Sequence, residues 1–206
     1  MKKTLLMLTM LLILLIAVST SADALTLSIP NNDISGYPGP YANLTVNLTD
    51  SAHASISVQA LTQGIYVYKF GGNEGVDLNT NGQVAVSNLS DPSFSWLWVS
   101  PPGQQVDGFG RFNLIVEQGS NNSPVTSLTF DLALSSGSWA SASDVLTLNP
   151  NYLAAAHISV FVPGSTDAVK TGFAVNGPPV PEPATMLLLG SGLLGLAGFA
   201  RRKFKK

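Results

Sequence analysis

Residues 41–60 read YANLTVNLTDSAHASISVQA, and this stretch decides the fold class. From Ala42 to Leu48 every second residue is apolar, and Ile56 and Val58 likewise alternate with serines. A period of two places apolar side chains on one face of a strand and polar ones on the other, which is typical of a half-buried strand in an antiparallel sheet.

Similar short runs recur through the middle of the chain and are separated by turn residues such as Gly71-Gly-Asn and Pro101-Pro-Gly. The predicted strands are Leu25–Ile29, Tyr41–Leu48, Ala54–Ala60, Ile65–Phe70, Gln83–Val86, Phe94–Val99, Phe112–Glu117, Ser127–Ala133, His157–Val162 and Gly172–Val175. Residues 149–156 are compatible with a single helical turn. Many short strands with frequent turns predict an all-β antiparallel domain, a β-sandwich or jelly roll, over residues 25–176.

The first 24 residues have the order of parts expected of a secretory signal peptide. Lys2 and Lys3 are followed by an apolar run from Leu5 to Val18, and then by the small residues Ala22 and Ala24. We predict a signal helix, cleavage after Ala24 and export by the Sec machinery. An uncleaved membrane anchor is the alternative.

The C-terminus carries a second membrane signal. Residues 177–183 form a Pro-rich linker, and residues 184–200 contain no charged side chain, enough for roughly 25 Å of transmembrane helix. A basic cytoplasmic tail, residues 201–206, follows with Arg201, Arg202, Lys203, Lys205 and Lys206. Because basic flanks stay on the cytoplasmic side, the domain is expected on the periplasmic side of the inner membrane.

The motif Pro181-Glu182-Pro183, followed by the apolar segment and the basic end, resembles the PEP-CTERM sorting tail of Gram-negative bacteria. The resemblance covers about the last 26 residues. It implies that an exosortase recognises and processes an anchored precursor, which then reaches the cell surface or the medium, often in bacteria that make exopolysaccharide. An ordinary single-pass anchor is the alternative.

Charge argues against nucleic acid as a partner. Residues 25–180 hold three basic residues, Lys69, Arg111 and Lys170, against ten acidic ones, a net charge of −7. Nucleic-acid binding requires a basic face, so this class is excluded. The chain has no cysteine, which also excludes disulfides and Cys metal sites.

Catalytic patterns are scarce. His53 and His157 are the only histidines, and no G-x-S-x-G or H-E-x-x-H motif occurs. A glycosidase needs two carboxylates in a cleft; Glu74, Glu117 and several Asp could supply them, but sequence does not show proximity. We therefore expect a non-enzymatic protein and keep a secreted hydrolase as an alternative.

Two local patterns suggest ligands. Asp77, Asn79 and Asn81 with Gly82 match half of a calcium loop, although a hairpin turn at Asn81-Gly82 is the favoured interpretation. We therefore expect no cofactor and keep calcium as the alternative. The candidates for stacking on sugar rings are Tyr66, Tyr68, Trp96 and Trp98. Burial in the core is the favoured interpretation of both aromatic rows.

The hypothesis from sequence is an exported surface or matrix protein with a structural or interaction role linked to exopolysaccharide or biofilm. A carbohydrate-binding module that recognises exopolysaccharide is the first alternative.

Overall fold

The computed structural model describes residues 22–120, 122–148 and 151–176. The predicted signal helix before Ala22, the Pro-rich linker, the predicted transmembrane helix at 184–200 and the basic tail lie outside the described residues. Within the described ranges, no helix is both long enough and apolar enough to cross a membrane.

The described chain forms fourteen strands and one 3₁₀ helix, Ala142–Asp144. The strands are β1 (Ala22–Pro30), β2 (Ala42–Asp50), β3 (His53–Ala60), β4 (Thr62–Gln63), β5 (Tyr66–Phe70), β6 (Val76–Leu78), β7 (Val84–Ser87), β8 (Phe94–Trp98), β9 (Gln104–Val106), β10 (Gly110–Phe112), β11 (Leu114–Gln118), β12 (Ser127–Leu134), β13 (Ala154–Phe161) and β14 (Lys170–Asn176).

Twelve strands belong to one antiparallel sheet with the order β7-β12-β3-β2-β1-β14-β13-β6-β11-β8. Strand β5 pairs with β13 beside β6, β4 pairs with β5, and β9–β10 form a separate hairpin. The prediction of an all-β antiparallel domain is confirmed. The finer prediction of a β-sandwich fits roughly, because one continuous sheet curls around its own core and is nearly closed, with β7 and β8 as its unpaired ends.

Alternation along the strands builds that core. Leu44 and Val46 of β2 belong to the same buried cluster as Leu128 and Phe130 of β12 and Val116 of β11, so both halves of the sheet contribute. All five side chains are at most 1% exposed, and each buried side chain of this size contributes about 1.5–3 kcal/mol.

The turn at Asn81-Gly82 differs from the prediction. Gly82 has a φ of 106°, as a tight turn requires, but β6 and β7 do not pair with each other. Strand β6 lies between β13 and β11, whereas β7 pairs with β12 at the far end of the sheet. The dipeptide therefore turns the chain between distant strands, and the predicted hairpin is wrong.

Buried tyrosines hold the loop between β1 and β2. The Tyr41 hydroxyl donates to the carbonyl of Tyr37 at 2.7 Å, and the Tyr68 hydroxyl donates to the carbonyl of Pro38. The rings of Tyr41 and Tyr68 pack with centroids 5.0 Å apart. Burial, with Tyr41 nearby, raises the pKa of Tyr68 to about 12.

The substitution Tyr68→Phe is expected to lower the free energy of unfolding by about 1 kcal/mol, because it leaves the Pro38 carbonyl without its donor. Urea denaturation of the mature protein measures the change. Tyr66→Phe is the matched control, because no hydrogen bond joins the Tyr66 hydroxyl to a described residue. Equal losses in both variants would contradict the role of the Tyr68 hydroxyl.

Candidate functional site

The sheet carries a second packed face opposite the main core, formed by β6, β11, β13 and β14. In β6, Val76 and Leu78 point into the main core, which leaves Asp77 between them on the outer face. Asp77 lies directly opposite Ile115 of β11 and Ala155 of β13. A carboxylate is thereby fixed in the middle of a rigid sheet.

The β9–β10 hairpin covers this outer face. Val106, Phe109 and Phe112 of the hairpin region pack with Ile115 and Phe173 in a second hydrophobic cluster. Between hairpin and sheet lies a cavity of about 280 Å³. We call it the Asp77 pocket; its lining residues are Glu74, Gly75, Asp77, Gln104, Gln105, Val106, Asp107, Ile115, Glu117 and Phe173.

Asp77 is the buried acidic group of this pocket. It is 5% exposed, and no described residue donates a hydrogen bond to its carboxylate. Desolvation, followed by the negative charges of Glu74 and Glu117, raises the pKa of Asp77 to about 8. The folded protein thus holds a proton on Asp77 at neutral pH, which an acid in water would lose.

Glu74 joins this pocket to a wider cavity of about 600 Å³, which includes His157, Ser159 and Thr171. His157 Nε2 lies 3.8 Å from Glu74 Oε2, and the ring packs on Phe173. The two cavities thus share Glu74 as a common lining residue.

The three calcium candidates have different surroundings in the fold. Asp77 is in the middle of β6, Asn79 donates through Nδ2 to the Tyr152 carbonyl, and the Asn81 backbone bonds to Val145 and Trp139. No group of three or more His, Cys, Asp or Glu side chains in the described part of the chain could hold a metal ion.

The aromatic candidates are also divided. Tyr68 is fully buried and Tyr66 packs partly against the core, so that row fills the interior. Trp98 packs partly against the core as well. Trp96 lies on the edge strand β8 with 39% of its surface exposed, next to Leu97 at 54%.

The predicted signal-cleavage residues Ala22 and Ala24 fall at the start of β1, opposite Asn47 and Thr45 of β2. Both alanines are exposed, and the first fully buried side chain of the strand is Leu27. Cleavage after Ala24 stays a prediction; it would leave the packed part of β1 intact.

Sequence reasoning named Asp77, Glu74 and Glu117 separately, and the structure brings them to one pocket. The sequence did not indicate Asp107 or the β9–β10 hairpin that covers the pocket. The signal for Asp77 was present in Val76-Asp77-Leu78, where a carboxylate alternates with two apolar residues; the hairpin has too little alternation to be found.

The match to a known protein family lies in the C-terminal tail. Residues 179–203 match the PEP-CTERM protein-sorting motif. The motif implies an exported protein that is processed at the membrane, with an exosortase as its processing partner. No curated protein and no solved structure matches the chain. The prediction of a PEP-CTERM tail is confirmed, while Pro181, Glu182, Pro183 and the basic residues lie outside the described ranges.

Proposed function

We propose that this is a surface or extracellular-matrix protein, anchored in the inner membrane as a precursor, with a non-enzymatic structural or interaction role linked to exopolysaccharide or biofilm. The observation that carries the proposal is the sorting motif at residues 179–203. A sheet that carries polar cavities on its surface suits a domain that acts by contact after it has been delivered.

Mass spectrometry of the mature protein from its own host tests the sorting step. We expect an N-terminus at Leu25 and a C-terminus between Val180 and Pro183. Replacement of Pro181 and Pro183 by alanine should preserve export and leave the C-terminal segment attached. A control replacement of Pro178 by alanine should be processed normally. A mature surface form that still ends in Lys206 would contradict exosortase processing.

A carbohydrate-binding module is the second candidate, and exposed Trp96 on an edge strand favours it. An exposed indole offers a flat apolar face to a sugar ring. We expect Trp96→Ala to reduce retention on exopolysaccharide from the host by about tenfold, with Leu97→Ala as the control for lost apolar surface. Equal losses in both variants would indicate nonspecific adsorption through apolar surface rather than stacking of the indole on a sugar ring.

A secreted hydrolase is the remaining alternative, because Glu74, Asp77 and Glu117 share one pocket. A raised pKa suits a general acid. An assay for new reducing ends in host polysaccharide tests this alternative. Hydrolysis by the wild type that is abolished in Asp77→Asn would show that the protein is an enzyme and would contradict the non-enzymatic proposal.

A further inference from the structure

The Asp77 pocket has an unbalanced charge. Glu74, Asp77, Asp107 and Glu117 line it, and none of the described lining residues is Lys or Arg. Asp107 and Glu117 are exposed at the mouth and Glu74 is half-buried, while Asp77 lies at the bottom. The arrangement concentrates negative potential inside a cleft with low-dielectric walls, which attracts a cation.

Asp77 supplies a second and independent sign of a missing partner. Buried carboxylates in folded proteins are nearly always hydrogen-bonded or paired. Asp77 is 5% exposed, lines the cavity, and receives no hydrogen bond from a described residue. A ligand that donates hydrogen bonds and carries positive charge would satisfy this group.

We propose that the Asp77 pocket binds the ammonium group of a small organic amine, either an aliphatic amine or an amino sugar, with Asp77 as its buried charge partner. The inference deepens the proposed interaction role of the domain by giving the class of its ligand. It is independent of the sorting step.

Size and ligand geometry favour an amine over a metal ion. The cavity of about 280 Å³ is near the lower end for small-molecule sites and is much larger than one ion needs. The described acidic and histidine side chains form no group of three that could coordinate a metal. An ammonium group has three donors, and the carboxylates of Asp77 and Glu117 with the amide oxygen of Gln104 offer acceptors.

Binding should release a proton. The amine arrives as R–NH₃⁺ and Asp77 begins as the neutral acid, so formation of the ion pair transfers one proton from Asp77 to solvent. Glu74, Glu117 and Asp107 face Asp77 across the pocket, and His157 faces Glu74. Affinity should therefore rise by up to about tenfold from pH 6 to pH 7.

Isothermal titration calorimetry of the mature protein tests the proposal with glucosamine, 1,4-diaminobutane, N-acetylglucosamine and calcium chloride as separate probes. We expect binding of one or both amines, with about one proton released per site at pH 7. Binding of 1,4-diaminobutane indicates that any amine suffices, and binding of glucosamine alone indicates an amino sugar.

Three variants locate the site. Asp77→Asn should weaken amine binding by about tenfold or more and abolish the pH dependence, and Glu117→Gln at the rim should weaken it severalfold. Asp50→Asn, at the turn between β2 and β3, removes the same charge elsewhere and should change nothing. Equal binding of N-acetylglucosamine, a preference for calcium, no binding, or an unchanged Asp77→Asn variant would each overturn the proposal. Processing of the C-terminus would be unaffected by any of these results.

Discussion

The substitution Asp77→Asn should make the mature protein more stable than the wild type at pH 8, with a difference that shrinks steadily toward pH 5. Asparagine has the shape of the carboxylic acid but holds no titratable proton. The variant therefore removes the cost of keeping a proton on Asp77 in the folded state at a pH at which the unfolded chain has lost it.

The sign of the effect follows from proton binding. Asp77 has a pKa of about 8 in the folded protein, above the ordinary value of 3.8 expected in the unfolded chain. Between these values the folded state holds a proton that the unfolded state has lost, so stability falls as the pH rises through this window. The limiting slope is about 1.4 kcal/mol per pH unit.

Urea denaturation of both proteins at pH 5, 6, 7 and 8 measures the difference directly. Asp50 and Asp91, whose pKa values are lowered, contribute equally to both proteins and cancel. Asp107→Asn is the matched control, because it removes a carboxylate from the exposed mouth of the same pocket. Parallel stability curves for the wild type and Asp77→Asn would show that Asp77 is already ionised in the folded state.

The long strands were predictable because their alternation is strong. In β2, Leu44 and Val46 alternate with Asn43, Thr45 and Asn47. The structure confirms the prediction that the apolar residues are on the buried face and the polar residues on the more exposed face. The curling of one continuous sheet was not predictable, because sequence alternation determines which face is buried but not which strands become neighbours.

The short strands were missed for a related reason. Strands β6, β9 and β10 have three residues each, too few to show a period. Strand β13 begins at Ala154-Ala155-Ala156, a run with high helix propensity. Tertiary packing overrides that propensity, since small side chains fit on both faces where β13 is buried between two packed layers.

These missed strands build the Asp77 pocket. Strand β6 supplies Asp77 and the β9–β10 hairpin supplies the roof. The start of β13, which the prediction of a strand from His157 also missed, places Ala155 opposite Asp77. The sorting motif, in contrast, is contiguous and can be read from sequence alone. The sorting signal was therefore more predictable from sequence than the Asp77 pocket, because the pocket depends on strand pairing across the sheet.

A single methyl group should disrupt the strand that carries Asp77. In Gly75→Ala the new Cβ would overlap the carbonyl oxygen of Val116 and lie 3.0 Å from the Phe94 ring. Both neighbours are fixed, Val116 in the middle of β11 and Phe94 buried at the sheet edge. Because the Gly75 carbonyl also accepts a hydrogen bond from His157 at 2.9 Å, a shift of the backbone would disturb β13 as well.

We expect Gly75→Ala to lower the free energy of unfolding by about 3 kcal/mol, since the clash involves backbone that has no other rotamer to adopt. Gly36→Ala is the matched control: no atom lies within 4 Å of its Cβ and its φ is outside the left-handed region, so its effect should stay within about 0.5 kcal/mol. Urea denaturation at pH 5 separates this effect from the titration of Asp77, which stays protonated in the folded state there. A Gly75→Ala protein as stable as Gly36→Ala would mean that β6 and β11 are farther apart than the close approach at Gly75 requires, and the Asp77 pocket would then be wider than the structure shows.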